Sequence, residues 1–320
     1  MNLWIKCSLC SLKTTPDFTF SLMNNLVSLL KTAMAKRTSI LEKTNALRWL
    51  NGVADGFPGV TLDQYGSHFQ LQFFTHDFLN NKRELVEAIR ELWNPLYLVS
   101  KYRLDSDGKK LECPQILIEI GDKAYSSIQV KEGNAVFEVD LTDTINPGLF
   151  LDMRDIRMEI GSRSASKTLL NLFSYTCSFA VHARLGGAQK VVNVDISSKI
   201  LEKGRVNYQL NNLPCLPGEF FKGSSFEYLQ YANKKGLRFD GIILDPPSFA
   251  RHKSGVFSVR EHLQESVLLC ASILNPNGFL MVSSNYSGYT PKCIAESSLT
   301  TVQEALGRGR LVWSRSQGLD

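Results

Sequence analysis

The sequence predicts an α/β protein whose second half forms a mainly parallel sheet covered by helices on both faces, preceded by a small mixed α/β domain. Beyond residue 150, apolar strand-like runs alternate with segments of helical spacing, a rhythm typical of such a sheet. Two of these runs end in an acid, Asp195 and Asp245. The length of 320 residues exceeds the roughly 100–200 residues of one domain, so we expect two domains.

Three segments are expected along the chain. Residues 1–40 form a poorly specified N-terminal segment, residues 41–145 the small α/β domain, and residues 146–320 the domain with the parallel sheet. The turn-forming run Asn146-Pro147-Gly148 marks the boundary between the two domains.

Composition and charge limit the classes of function. A net charge of +5 permits a polyanionic partner such as RNA without demonstrating one. Seven scattered cysteines form no disulfide framework and indicate reduced thiols in a cytoplasmic protein. Cys7 and Cys10 have the spacing of a metal site but no further ligand nearby, so no metal is expected. The N-terminal residues resemble neither a signal peptide nor a membrane span.

Periodicity predicts the elements of the first half. Helical spacing indicates helices at 21–36 and 80–93. Alternating or apolar runs between turns predict five strands, at 60–65, 68–74, 96–100, 115–120 and 135–139.

The second half alternates strand and helix. The predicted strands are 168–173, 190–195, 218–222, 239–244 and 278–283. The predicted helices are 179–185, 198–211, 225–235 and 259–274.

Four signals follow successive strands of this half, where an open α/β sheet binds its ligand. The first is the turn of small residues within 171–179. The second is Asp195, about 20 residues later, the offset at which a carboxylate binds ribose hydroxyls. The third is the turn at 223–226. The fourth is the run Asp245-Pro246-Pro247-Ser248-Phe249, a carboxylate on a rigid ledge.

Each signal has a structural alternative. Asp195 could cap the next helix, Ser224 could cap the helix after it, and two prolines could simply end a strand. A dinucleotide dehydrogenase would place glycines in the first turn, where Cys177 and Ser178 stand. The order of the four signals favours an adenosine-methionine donor.

Residues 41–313 resemble the Rossmann-like class I S-adenosylmethionine-dependent methyltransferases of 23S rRNA, of the cytosine-5 and 7-methylguanosine type. The resemblance lies in five runs, at 54–63, 148–155, 171–176, 194–195 and 245–249. It implies S-adenosyl-L-methionine as cofactor and an RNA substrate, taken as 23S rRNA. A homodimer is left open, and neither a membrane nor a metal is expected.

The resemblance also implies roles for individual residues. The donor would be held by Asp195 with Ile196 on the ribose side, by Ser224 near the adenine, and by Asp152 and Arg154. The remaining donor contacts it implies are Phe173, Ser174, Tyr175, Thr176, Phe179, Asp245 and Pro246.

The acceptor side would comprise Asp245, Asn285 and Phe249, with Phe249 stacking on the target base. Methylation of cytosine C5 requires a cysteine nucleophile. The run 281–288, where the cytosine enzyme keeps it, has none, and Asn285 takes its place. Cys177 and Cys270 are interpreted as structural. We therefore expect methylation of a purine nitrogen, with cytosine C5 as the alternative.

Departures from the family pattern leave a further alternative open. Cys177 replaces a glycine and Ser224 an acid, which we expect to weaken donor binding. Family members begin with an RNA-binding PUA domain, for which the first 40 residues are too short, and they extend past Asp320. An inactive RNA-associated scaffold is thus a second hypothesis, and an NAD-dependent oxidoreductase a third. The run Arg251-His252-Lys253 is the favoured phosphate contact.

Overall fold

The computed structural model describes residues 16–105, 107–252, 255–284, 291–307, 309 and 310. Its first sheet has five strands in the order β1-β2-β3-β4-β5. These strands are β1 (Ala46–Asn51), β2 (Val60–Tyr65), β3 (His68–Phe73), β4 (Tyr97–Leu104) and β5 (Lys110–Ile120). Only the pair β3 and β4 is parallel. A helical crossover joins these two strands, as a parallel pair requires.

Two helices cover one face of this sheet, α1 (Pro16–Arg37) and α2 (Lys82–Trp93). Leu26 and Leu30 of α1 are buried in one cluster with Leu71 of β3 and Leu85 of α2. Helix α1 therefore packs into the core of the first unit through Leu26 and Leu30, within the stretch that the sequence predicted as poorly specified up to residue 40. The helix predicted at 21–36 lies inside α1.

A hairpin joins the two units. It is formed by β6 (Ser127–Glu132) and β7 (Ala135–Asp140), which pair antiparallel. Val130 and Phe137 are fully buried in a cluster that also contains Tyr97 of the first sheet and Leu169 of the second. The hairpin thus packs between the two sheets, and one continuous core runs through it.

The second sheet has five parallel strands in the order β10-β9-β8-β11-β14. Its strands are β8 (Thr168–Leu172), β9 (Lys190–Asp195), β10 (Phe220–Lys222), β11 (Phe239–Leu244) and β14 (Leu274–Val282). The helices of this half are α3 (Arg154–Ser162), α4 (Ser178–Leu185), α5 (Ser198–Leu210), α6 (Ser225–Lys234), α7 (Val259–Ser272) and α8 (Pro291–Leu306). A small hairpin of β12 (Phe249–His252) and β13 (Gly255–Ser258) precedes α7.

Strand order reverses between β8 and β11, because the chain runs outward through β9 and β10 before it returns to β11. In open α/β sheets the ligand binds at this reversal, beyond the carboxyl ends of the strands. The predicted fold class is confirmed, including the mixed sheet that precedes the parallel one. The sequence missed six elements, namely β1, β6, β12, β13, α3 and α8.

Candidate active site

The turn between β8 and α4, residues 173–177, is the most strained segment of the reversal and is called the donor turn below. Phe173, Tyr175 and Cys177 have φ angles of 53°, 47° and 61°, in the left-handed region that favours glycine. Each costs about 1–2 kcal/mol relative to right-handed backbone. Such strain persists only where surrounding contacts fix the backbone.

Side chains from neighbouring elements supply those contacts. The Phe173 amide donates to Ser225 Oγ at 2.9 Å, and the Tyr175 amide donates to Asp195 Oδ2 at 3.0 Å. Asn207 of α5 donates its side-chain amide to the Thr176 carbonyl at 2.9 Å. The donor turn is therefore held from both sides of the sheet.

Asp195 ends β9 beside the donor turn. Its Oδ1 accepts the Ser197 amide at 2.9 Å, while its Oδ2 accepts the Tyr175 amide. Burial raises the pKa of this carboxyl above its ordinary value. The cap of α5 is Ser197, which accepts the Ile200 amide at 3.3 Å, so Asp195 is not the helix cap that the sequence left open.

Cys177 corrects an expectation. Its side chain was expected to weaken donor binding because it replaces a glycine, but the thiol is fully buried in the core between the units. A Cβ built on Gly204 of α5 would lie 2.5 Å from Cys177 Sγ, so the thiol occupies the space that the glycine leaves. The side chain therefore does not occupy the exposed side of the turn.

The acceptor side lies at the ends of β11 and β14. Ser283 Oγ donates a short hydrogen bond to Asp245 Oδ1. Burial, and next the nearby charge of Asp152, raise the pKa of Asp245 to about 6. Pro246 is buried, whereas the Phe249 ring is 64% exposed. Asn285 lies outside the described residues.

Comparison with known proteins identifies this arrangement. A family model described as S-adenosylmethionine-dependent methyltransferase matches residues 95–306. The chain belongs to this family. It is 35% identical over 273 residues to YwbD of Bacillus subtilis (strain 168), whose name assigns it provisionally to the ribosomal RNA large subunit methyltransferases. That match covers 83% of the chain and 68% of YwbD.

Two further relatives agree. Ribosomal RNA large subunit methyltransferase I of Tolumonas auensis is 29% identical over 283 residues, covering 86% of the chain and 71% of the relative. The solved structure of SMU.776, a protein complexed with SAH, superimposes with a TM-score of 0.78 at 28% identity. It covers 90% of the chain and 73% of SMU.776. The protein is thus an S-adenosylmethionine-dependent methyltransferase, and the scaffold and oxidoreductase hypotheses are not supported.

The cofactor S-adenosylmethionine fits the donor side of this methyltransferase. The Asp195 oxygens accept backbone amides, among them those of Tyr175 and Ser197. A carboxylate has about four acceptor positions, so there is still capacity for a ribose hydroxyl. Ile196, which follows Asp195, is 46% exposed and presents an apolar surface beside that carboxylate.

Other residues that were predicted to contact the donor have structural roles in the methyltransferase. Ser224 Oγ accepts the Glu227 amide at 3.4 Å, so Ser224 caps α6 as the alternative reading had it. The Phe179 ring belongs to the core. Ser174 and Thr176 are buried in the donor turn. A contact of these four with the cofactor stays a prediction.

Asp152 and Arg154 precede the sheet. Asp152 lies in a 3-10 turn, near enough for its charge to raise the pKa of Asp245. Arg154 is 5% exposed, so it is not a solvated arginine, and its Nε lies 3.4 Å from Asp155 Oδ1. The structure therefore brings Asp152 to the acceptor side and buries Arg154 at the start of α3.

Sequence reasoning missed the contacts that approach from the first unit. Arg48 pairs with Asp63 at 2.6 Å. Burial alone would lower the pKa of Arg48, but the carboxylates of Asp63 and Asp152 raise it. The first sheet thus comes close to the acceptor side. No short motif signals this, because Arg48 and Asp152 lie far apart in the sequence.

Metal and membrane sites were also considered. Within the residues that the structure describes, His, Cys, Asp and Glu side chains do not gather in a group of three or more that could hold a metal ion. Among the described helices, none has the length and hydrophobicity that a bilayer span needs. Cys7, Cys10 and Lys253 lie outside the described residues.

Proposed function

We propose that this methyltransferase transfers a methyl group to a purine nitrogen in 23S rRNA. The RNA substrate is supported by relatives named as ribosomal RNA large subunit methyltransferases. The preference for nitrogen depends on one observation: the run 281–288 has no cysteine where a cytosine-5 enzyme would keep its nucleophile, and its Ser283 hydroxyl is bonded to the carboxyl of Asp245.

The thiols of the described residues support this choice. Cys177 and Cys270 are fully buried, and burial raises the pKa of both thiols well above their ordinary value. A thiolate is the reactive form of cysteine, so neither residue suits attack on a base. Cys113 and Cys215 are exposed but lie in β5 and in the loop before β10, not at the carboxyl end of a parallel strand, and the exposed Cys293 lies in α8.

On the donor side, Asp195 would hold the ribose hydroxyls and the donor turn would approach the methionine end. S-adenosylmethionine supplies an electrophilic methyl group on a positively charged sulfur. In the proposed reaction the lone pair of the base nitrogen would form the new N–C bond, and the electron pair of the C–S bond would stay on sulfur. Alignment of nitrogen, methyl and sulfur is the main requirement, so no covalent intermediate with the protein is needed.

On the acceptor side, the Asp245 carboxylate would accept a hydrogen bond from the edge of the base and orient its nitrogen. If that nitrogen carries a hydrogen, its proton passes to Asp245 or to water once the methyl group has been transferred. The exposed Phe249 ring would stack on a base that has left the helix stack. Asn285, outside the described residues, is retained as a proposed second contact to the base.

A covalent trap tests the proposal against cytosine-5 chemistry. The chain would be incubated with S-adenosylmethionine and rRNA that contains 5-fluorocytidine, whose fluorine blocks the release of a cysteine adduct. We expect no protein–RNA adduct that survives denaturation, while methyl groups still enter unsubstituted rRNA. A stable adduct would show that a cysteine attacks the base and would contradict the proposal.

The remaining expectations are proposals as well. The first unit would face the RNA, because β1 packs against the 3-10 turn that contains Asp152. Action on rRNA suggests a cytoplasmic location. The homodimer stays a prediction, which light scattering of the purified chain would check.

A further inference from the structure

Lys101 of β4 is a fully buried lysine outside the site described above. Its ammonium donates to two main-chain carbonyls, that of Asp143 at 3.0 Å and that of Ile145 at 3.1 Å. Burial, and next the neighbouring Arg103, lower the pKa of Lys101 to about 8. Burying an amine is unfavourable unless its hydrogen bonds are replaced, so these two carbonyls determine where the ammonium can lie.

The two carbonyls belong to the linker, residues 141–148, which connects β7 to the second unit. Other bonds fold this linker tightly. Asp143 Oδ1 accepts the amides of Ile145 at 3.0 Å and Asn146 at 3.2 Å, and its Oδ2 binds Lys203 of α5 at 3.0 Å. Arg103 donates to the Ile145 carbonyl at 3.3 Å. Three basic side chains from two units thus hold one short segment.

The same linker holds the donor turn. The Tyr175 hydroxyl donates to the Asn146 carbonyl at 3.1 Å, and Thr176 Oγ1 donates to the Gly148 carbonyl at 2.6 Å. These bonds add to those of Ser225, Asp195 and Asn207 in holding the left-handed turn. A continuous path of hydrogen bonds therefore runs from Lys101 through the linker to the donor turn.

We propose that Lys101 is a positioning residue, which fixes the linker and thereby the turn on which the cofactor binds. The inference depends on the proposed role of the donor turn and of Asp195 in holding S-adenosylmethionine. Lys101 does not itself touch the cofactor. It acts from the first unit, so that unit contributes to donor affinity as well as to the proposed RNA contacts.

The test is the affinity for S-adenosylmethionine by titration calorimetry, together with kcat at saturating substrates. Lys101→Met keeps the length of the side chain and removes both hydrogen bonds. We expect the donor Kd and KM to rise about five- to tenfold, as for the loss of one or two net hydrogen bonds, with kcat changed less than twofold. Tyr175→Phe, which cuts the far end of the path, should act similarly.

The double variant separates a path from two local effects. If Lys101 acts through the linker, Lys101→Met with Tyr175→Phe should bind the donor no more than twofold more weakly than the weaker single variant. The proposal would be overturned if the increase in donor Kd of the double variant equalled the product of the two single increases. It would also be overturned by an unchanged donor Kd in folded Lys101→Met. If thermal unfolding shows that Lys101→Met is not folded, Lys101→Gln replaces it, because glutamine keeps a hydrogen-bond donor. This variant should show a smaller rise in the donor Kd. An unchanged donor Kd would equally overturn the proposal.

Two controls complete the design. Arg90→Met removes an ion pair within α2, that with Glu87 at 3.7 Å, and should leave the donor Kd unchanged. If it weakens donor binding as much as Lys101→Met, the path is refuted. Asp195→Ala should abolish donor binding. If Asp195→Ala binds normally, the proposed donor site is wrong; if only Lys101→Met binds normally, the positioning role alone is wrong.

Discussion

The carboxyl of Asp245 sets a pH dependence that can be worked out from the structure. Burial and the charge of Asp152 raise its pKa from 3.8 to about 6. If the ionised form orients the base, roughly one tenth of the molecules are competent at pH 5 and roughly nine tenths at pH 7. The rate should therefore rise about tenfold between these values, with a midpoint near pH 6.

The raised pKa of Asp245 also makes the stability of the fold depend on pH. The folded state binds this proton more tightly than the unfolded state, so the stability from the neutral carboxyl is complete below pH 4 and is lost as pH rises to about 6. At pH 7 the ionised Asp245 carboxylate lowers the free energy of unfolding by at most about 3 kcal/mol. Asp245→Asn should recover part of that free energy of unfolding while it lowers kcat by about a hundredfold or more.

Methyl incorporation into rRNA from pH 5 to 8, and urea unfolding at pH 7, would measure both effects. Asp240→Asn is the matched control, because Asp240 lies at the other end of β11 and accepts the Thr168 amide at 2.9 Å. It should leave the midpoint of the pH profile unchanged. A wild-type profile that is flat from pH 5 to 7, or an Asp245→Asn variant with full activity, would refute the reasoning.

Three other predictions follow from buried and exposed contacts. Gly204→Ala should lower the free energy of unfolding by about 1–3 kcal/mol in a thermal or urea melt, because its Cβ would overlap Cys177 Sγ; Cys177→Ala in the same chain should restore part of it, and additive losses would contradict this contact. Glu132→Gln should cost about 3–5 kcal/mol in the same melt, because Arg157, at 2.6 Å, is left as a buried charge; a loss below 1 kcal/mol would count against the pair. Phe249→Ala should raise the KM for rRNA by about tenfold with an unchanged donor Kd, since stacking contributes about 1–3 kcal/mol per base, and an unchanged KM would exclude stacking.

The stabilisation by the buried ion pair of Glu132 with Arg157 also depends on pH. Burial alone would raise the pKa of Glu132, but Arg157 and His182 lower it to about 2. The pair therefore stabilises the fold fully above pH 4.5, and this stabilisation is lost as pH falls towards 2.

Sequence periodicity was most informative in the parallel sheet. Strands β9 and β11 lie where the sequence predicts them, because they are buried on both faces and read as continuous apolar runs between turns. Strand β1 was missed because a register shift between Arg48 and Leu50 breaks the alternation of buried and exposed positions. Helix α3 was missed because buried Arg154 and Arg157 take the place of apolar side chains on its inner face.

Only those site residues that stand at the ends of predicted strands could be found from the sequence. Asp195 and Asp245 are found from strand order alone, since carboxyl ends of neighbouring parallel strands meet at one edge. Lys101 carries no motif, and Asn146 was singled out only as part of a turn; their link to the site depends on bonds that span 42 and 29 residues of sequence. The interpretation of Cys177 as structural agrees with its burial, but a sequence does not reveal that Gly204 makes room for its thiol.

The identity of the methylated nucleoside tests the central claim most directly. Ribosomal RNA would be treated with the chain and with a donor carrying a deuterated methyl group, digested to nucleosides, and analysed by mass spectrometry. The expected product is a purine nucleoside labelled on a ring or exocyclic nitrogen, absent with Asp245→Asn. Labelled 5-methylcytidine would contradict nitrogen methylation at the Asp245 and Ser283 pair.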